Sequence, residues 1–285
     1  MEWQKTLEAY LRTLRESTAN QYRLALADFH RWYVQTYGEE PAPALLTDEE
    51  AREYVAYLSG VRNLKAATVN LRLSALKGLA RFCGRRLTVR GVRKVEQPIE
   101  PLNGRELGRL IAAVEGFWWG AEWMKRRNVA IIALLARAGL RVGEVVALDV
   151  EDVELNERSG WVLVRRGKGL KERHVPLSKE ARKALGAYLE KRPWWTEEAA
   201  LFVTRTGQRM DVRAVQRMVE AATQRAGIAK RVTPHVLRHT FATRFLRRGG
   251  DLATLQAILG HANLATTARY LHPDAARVQE MVESL

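Results

Sequence analysis

Residues 233–239 read Thr233-Pro-His-Val-Leu-Arg-His239, and the chain is best read outward from them. Thr233 is a good N-cap, and Pro234 suits the first helical position, where its missing N–H is no loss. A helix is predicted to start here, and Gly249-Gly250 to stop it. On that helix His235 and Arg238 are three apart and share a face. The same letters contain His-x-x-x-His, the spacing of a zinc metalloprotease helix. That reading fails on two counts: Val236 stands where a catalytic Glu would be, and Arg238 would set a fixed cation beside the metal. An anion site fits better, with a permanent cation and imidazole donors aimed at one set of phosphate oxygens. Taken alone, a capped surface helix accounts for the motif equally well.

Three further stretches carry the same kind of signal. In Ala138-Gly-Leu-Arg-Val-Gly-Glu144 a glycine cap is followed at once by a new helix. Arg141 sits at its start, where free backbone N–H groups also favour an anion, and Glu144 can hold the guanidinium in one rotamer. In Gly167-Lys168-Gly169 two glycines let a hairpin tip approach another backbone, and the lysine is a flexible acid. In the stretch Gly260 to Tyr270, His261 lies in a connection, Asn263 caps a short helix, and Tyr270 falls near its end. Each has a plain structural alternative: an arginine near a helix start, a solvated turn lysine, a core tyrosine.

Composition narrows the partners. The 285 residues carry 47 Lys and Arg against 32 Asp and Glu, a formal charge of +15. Such a surplus is self-repulsive, and a polyanion would offset it; nucleic acid leads, with an anionic membrane surface second. The charge is not confined to a tail: residues 1–99 hold 16 basic and 11 acidic residues, and residues 100–285 hold 31 and 21. Of the cations 36 are Arg, whose planar fork suits phosphate. The lone Cys83 allows no internal disulfide and no cysteine zinc site. No apolar run reaches 18 residues, and the charged start lacks a signal-peptide core, so the expectation is a soluble cytoplasmic protein.

The organisation is expected to be mainly α with a small β-sheet. Trp3, Leu7, Tyr10, Leu11 and Leu14 form one helical stripe; Tyr22, Leu26, Phe29 and Tyr33 form a second, broken at Gly38 to Pro43. Thr47 with Glu50 is a capping box for a third helix, and residues 66–82 make a fourth. Gly84 to Pro101 is basic and ends in two prolines, which predicts a linker over 84–100. Beyond it, Asn103 with Glu106 is another capping box, and residues 129–138 form an apolar helix closed by Gly139. Trp161 to Val164 and Arg173 to Leu177 flank the glycine turn as a β-hairpin. Helices follow after Asp211, over 251–259 and over 263–271. A tail helix is predicted over 274–285.

Together the four motifs match one pattern. The order Arg, Lys, His-x-x-Arg, His, Tyr, carried by AGLRVGE, GKGLKER, HVLRH and LGHANLATTARY, resembles the tyrosine recombinases of the phage-integrase family, most closely the Xer type. The resemblance spans almost the whole chain. It implies a helical core-binding domain over 1–83 and an α+β catalytic domain over 101–285. By motif, Tyr270 would be the nucleophile, Arg141 and Arg238 would clamp the scissile phosphate, and Lys168, His235 and His261 would complete the site. His239 would support it.

The chemistry suits that set. A tyrosine of pKa about 10 needs a base, for which His235 is the candidate. Charge builds on the nonbridging oxygens, where two arginine forks stabilise it and His261 can donate. The 5′-hydroxyl must leave protonated, with Lys168 as the acid. Neither metal nor cofactor is required, and resealing needs no ATP because the phosphotyrosine link preserves the diester. The family further implies double-stranded DNA as partner, a homotetramer on two DNA sites or assembly with a sister recombinase, and a C-terminal segment that docks on the neighbouring subunit. Roles in chromosome-dimer resolution and in mobile-element integration or excision both stay open. A type IB topoisomerase and a non-cleaving DNA-binding regulator on the same fold are the alternatives.

Overall fold

In a computed structural model of the chain, the residues described are 2–93, 99–117, 120–165, 172–196 and 199–260. The chain divides into two units, Met1–Gln97 and Pro98–Leu285.

The first unit is built from α1 (Glu2–Arg12), α2 (Glu16–Tyr37), α3 (Asp48–Ala56) and α4 (Ala66–Phe82). The two aromatic stripes meet as expected: Trp3, Leu7, Leu26 and Phe29 are buried in one core with Tyr54 and Leu76. Phe29 and Tyr54 pack edge to face at 5.0 Å, a favoured aromatic geometry. Gly38 ends α2 in the left-handed conformation, φ 73°, which a side chain would resist. Thr47 and Glu50 make both bonds of the capping box. One departure from regular helix follows α3, where Tyr57–Val61 form a π-helical turn.

The stretch expected as a linker begins instead as part of this unit. Leu87 and Val89 are buried in its core. Their every-second-residue spacing lets extended chain bury one side. The Asn70 side chain then pins the backbone of Val92 through two bonds of 2.8 Å.

The second unit wraps helices around α6 (Glu122–Arg137), with α5 (Gly104–Phe117) beside it. Residues 130–136 of α6 are all buried, as a helix apolar all round must be. α6 starts seven residues before its apolar run. Arg127 is buried there, capped by the Val203 carbonyl at 2.6 Å and the Asn128 side chain. Burial pushes its pKa down to about 10. A six-residue helix, α7 (Val142–Ala147), leads to β1 (Val153–Leu155), β2 (Gly160–Val164) and β3 (Arg173–Pro176). The three strands form an antiparallel sheet in that order. The predicted hairpin is β2 and β3; β1 is an addition to the sequence reading, and so is α8 (Lys179–Leu189), which packs on α6. α9 (Val212–Arg225), α10 (Pro234–Arg247) and α11 (Leu252–Leu259) complete the described chain. Thr233 caps α10 with Pro234 in its first turn, and Asp251 caps α11.

Candidate active site

Three elements of the second unit, α7, β3 and α10, meet at one carboxylate. α6 ends at Gly139, in the left-handed region at φ 72°, where a Cβ would also collide with the Phe241 ring. The sharp turn sets Arg141 at the start of α7 and Glu144 one turn into it. Glu144 accepts the Arg141 backbone N–H at 2.8 Å and its guanidinium at 2.9 Å. The N–H at the start of α7 is thus taken by the protein's own carboxylate, which also holds the Arg141 guanidinium.

Arg238 comes from α10 and is only 3% exposed. It donates to the Gly139 carbonyl at 2.6 Å and to the Leu259 carbonyl at 2.9 Å, and lies 3.7 Å from Glu144. Arg141 reaches the same Leu259 carbonyl at 3.2 Å. The end of α11, where the helix dipole is negative, is therefore held by two arginines from different elements.

A third arginine was missed by the sequence reading as a site residue. Arg173, first residue of β3, makes two bonds to Glu144, at 3.0 and 2.8 Å, and its Nε donates to the Ile258 carbonyl at 2.8 Å. It ties the hairpin, α7 and α11 together. Burial alone would raise the Glu144 carboxyl, but the bonds from Arg173 and the Arg141 backbone, with both charges, outweigh it and hold the pKa near 2. The carboxylate stays ionised, and three guanidinium charges surround one negative charge.

The other expected residues fall differently. His235 is exposed in the first turn of α10, while His239 is buried, so the His-x-x-x-His pair does not present two imidazoles to one open site. Among the described residues no cluster of three or more His, Cys, Asp or Glu could hold a metal ion. None of their helices is long and apolar enough to cross a membrane. Lys168 lies in 166–171, and His261 and Tyr270 lie in 261–285, all outside the described residues, as do the helices expected over 263–271 and 274–285. The described cluster nevertheless stands next to them in the chain. Arg173 follows Lys168 by five residues, and Leu259 precedes His261 by two.

Residues 101–277 match the model of the phage integrase family, and residues 2–87 match the phage integrase N-terminal SAM-like domain. The tyrosine recombinase XerC of Mesorhizobium japonicum is 31% identical over 99% of this chain and 93% of its own length. The XerC of Pelobacter propionicus is 41% identical over 55% of this chain, and there the match spans about half of the relative, 51%. Among solved structures, a XerH site-specific recombinase bound to palindromic difH substrate in a post-cleavage complex superimposes with a TM-score of 0.77. It is 25% identical, over 93% of this chain and 78% of that one.

Proposed function

The chain belongs to the phage integrase family, the tyrosine recombinases, and on that footing we propose that it is a site-specific recombinase that cuts and rejoins DNA through a 3′-phosphotyrosine intermediate. The observation that carries the proposal is the cluster in which Glu144 organises Arg141, Arg173 and Arg238 around the end of α11. It supplies excess positive charge, already oriented by bonds to backbone carbonyls, next to the two segments that hold the remaining motif residues.

In this reading the Tyr270 hydroxyl attacks the scissile phosphorus while His235 takes its proton. The bond to O5′ breaks, and Lys168 delivers a proton to that leaving oxygen. Arg141 and Arg238 bind the nonbridging oxygens, where charge accumulates in the transition state. Because Arg238 is already fixed by Gly139 and Leu259, no reorganisation is needed when the charge develops. His261 donates to one of the same oxygens. One diester is exchanged for another, and the reverse attack by a 5′-hydroxyl of a second duplex rejoins the strand without ATP. Assembly as a tetramer on two sites, alone or with a sister recombinase, and a role in chromosome partition at cell division are part of the proposal. Support comes from the XerC relatives and from the DNA bound in the XerH complex.

The test is a nicked suicide duplex, in which the cut strand loses its 5′-hydroxyl fragment and cannot reseal. A covalent protein–DNA adduct is expected from the wild type. A protein that binds duplex and exchanges no strands between two sites, with no adduct, would be a binding module and would overturn the proposal.

A further inference from the structure

The first unit contains a second carboxylate ringed by arginines, and no part of the proposed reaction uses it. Asp28, on α2, is 8% exposed. The Tyr54 hydroxyl donates to it at 3.2 Å. Arg72 of α4 lies at 2.8 Å, Arg31 at 3.3 Å and Arg62 at 3.6 Å. Arg62 follows the π-helical turn Tyr57–Val61 and precedes Asn63, the one described non-glycine residue with positive φ, at 46°. Irregular helix and a left-handed residue together turn this segment back so that Arg62 faces α2. Departures of this kind concentrate at functional sites.

The charges do not balance. One carboxylate faces three guanidinium groups, and Asp28 is the only acidic residue among the described residues lining the adjoining cavity. That cavity, about 310 Å³, is otherwise lined by Arg31, Trp32, Gln35, Tyr57 and Arg62. A brace between helices would need one arginine, and Arg72, whose side chain is 17% exposed, already provides it. The side chains of Arg31 and Arg62 are 72% and 42% exposed and gain little from a partner shared in water. Arg62 also bonds the Tyr57 side chain. Each guanidinium has five N–H donors in a planar fork, the geometry that matches two oxygens of one phosphate.

We propose that Arg31 and Arg62, gathered at one rim beside Asp28, form a binding site for a phosphate oxyanion, and that its occupant is a backbone phosphate of DNA. The inference rests on the reading of the chain as a DNA recombinase and adds a grip distant in sequence from every residue of the reaction. Because every nucleotide carries the same phosphate, the site holds it irrespective of the base attached.

The experiment is duplex binding by the full chain across a salt series, with the pair Arg31→Gln and Arg62→Gln against wild type. Loss of one phosphate contact should weaken binding about tenfold, equally on different sequences, and reduce the slope of log K against log salt by about 0.9. A charge-matched control, Arg12→Gln with Arg15→Gln, should move the slope less. Equal loss from the control, unchanged affinity and slope in the cluster variant, or a loss that depends on sequence would each overturn the site. A second arm sets inorganic phosphate against chloride at matched ionic strength. If phosphate raises the melting temperature of wild type alone while both proteins bind DNA equally, the site takes free phosphate and the DNA grip is wrong. Absence of duplex binding by the wild type would instead mark failure of the recombinase reading itself.

Discussion

Glu144 and Asp28 each gather three arginines around one carboxylate. Asp28 is buried and Glu144 mostly so, its side chain 14% exposed, but the arginines around them differ in depth. Around Glu144 the side chains of Arg141, Arg173 and Arg238 are 43%, 11% and 3% exposed. Around Asp28 those of Arg31, Arg62 and Arg72 are 72%, 42% and 17% exposed. In the second unit the guanidinium groups also bond to carbonyls of Gly139, Ile258 and Leu259, so their positions are set before any ligand arrives. Fixed charge in a dry site stabilises a transition state. Charge at a wet rim exchanges counterions for a phosphate and registers as affinity. On the proposed roles, the same charge pattern should be read in different measurements, rate for the Glu144 cluster and salt-dependent binding for the Asp28 cluster.

The largest expected effect separates chemistry from both clusters. Tyr270→Phe removes the proposed nucleophilic oxygen and leaves every arginine in the sequence. Adduct formation on the suicide duplex should vanish, with gel-shift binding retained. A Phe variant that still becomes covalently linked to DNA would take the nucleophile assignment away from Tyr270.

Next come the arginine and the acid within the second unit. Arg238→Ala should slow adduct formation by roughly 10²- to 10³-fold, the usual cost of an oriented oxyanion donor. Lys168→Ala should slow it comparably on ordinary DNA. On a 5′-bridging phosphorothiolate the leaving group needs no proton, so Lys168→Ala should regain most of its rate and Arg238→Ala should not. Equal rescue of both, or of neither, would remove Lys168 as the acid.

A smaller effect tests whether Arg173 is what keeps Glu144 charged. The Glu144 carboxyl sits near 2 in the folded chain against an ordinary 4.5. A depressed carboxylate contributes fully above its unfolded pKa, and the contribution is lost as pH falls from about 4.5 towards 2. Without Arg173, burial regains influence and the folded pKa moves up. Arg173→Ala should reduce adduct formation about tenfold near neutral pH and shift its acid limb to higher pH, with Arg173→Lys between the two. An acid limb identical to wild type would show that Arg141 alone sustains the carboxylate.

Arg173 also shows where sequence reading stops. Caps are local chemistry, so Thr47 with Glu50, Asn103 with Glu106, and Thr233 with Pro234 were all legible, as was α4 over 66–82. The hairpin was legible from β-branched runs around a glycine turn. β1, three residues long, offers no period to count. Arg173 stands in a strand among polar neighbours; its partners Glu144 and Ile258 are 29 and 85 residues away, a pairing only the fold creates. Asp28, between Leu26 and Phe29 of one stripe, drew no reading of its own, yet Tyr54 and Arg72 from two other helices cover it. Leu87 and Val89 were hidden by the arginines around them, because a count of charge does not record which side an extended chain turns inward.

The smallest expected effect decides whether the Asp28 cluster is a brace or a grip. Arg31 lies at the rim, 72% exposed, one helical turn from Asp28. An exposed ion pair of this kind contributes a few tenths of a kcal/mol, because water screens the attraction and holding the side chain costs entropy. Arg31→Ala should therefore change unfolding stability by less than about 0.5 kcal/mol, measured by urea denaturation at low salt. If the arginine instead braced α2, removal would cost about 2 kcal/mol or more, and the loss would persist at 1 M salt, where an exposed pair is screened out. Such a loss would make the cluster an element of the first unit's core and would remove the contrast with Glu144. A near-zero change in stability, set beside a measurable change in the salt slope of DNA binding, assigns the exposed charge to the ligand.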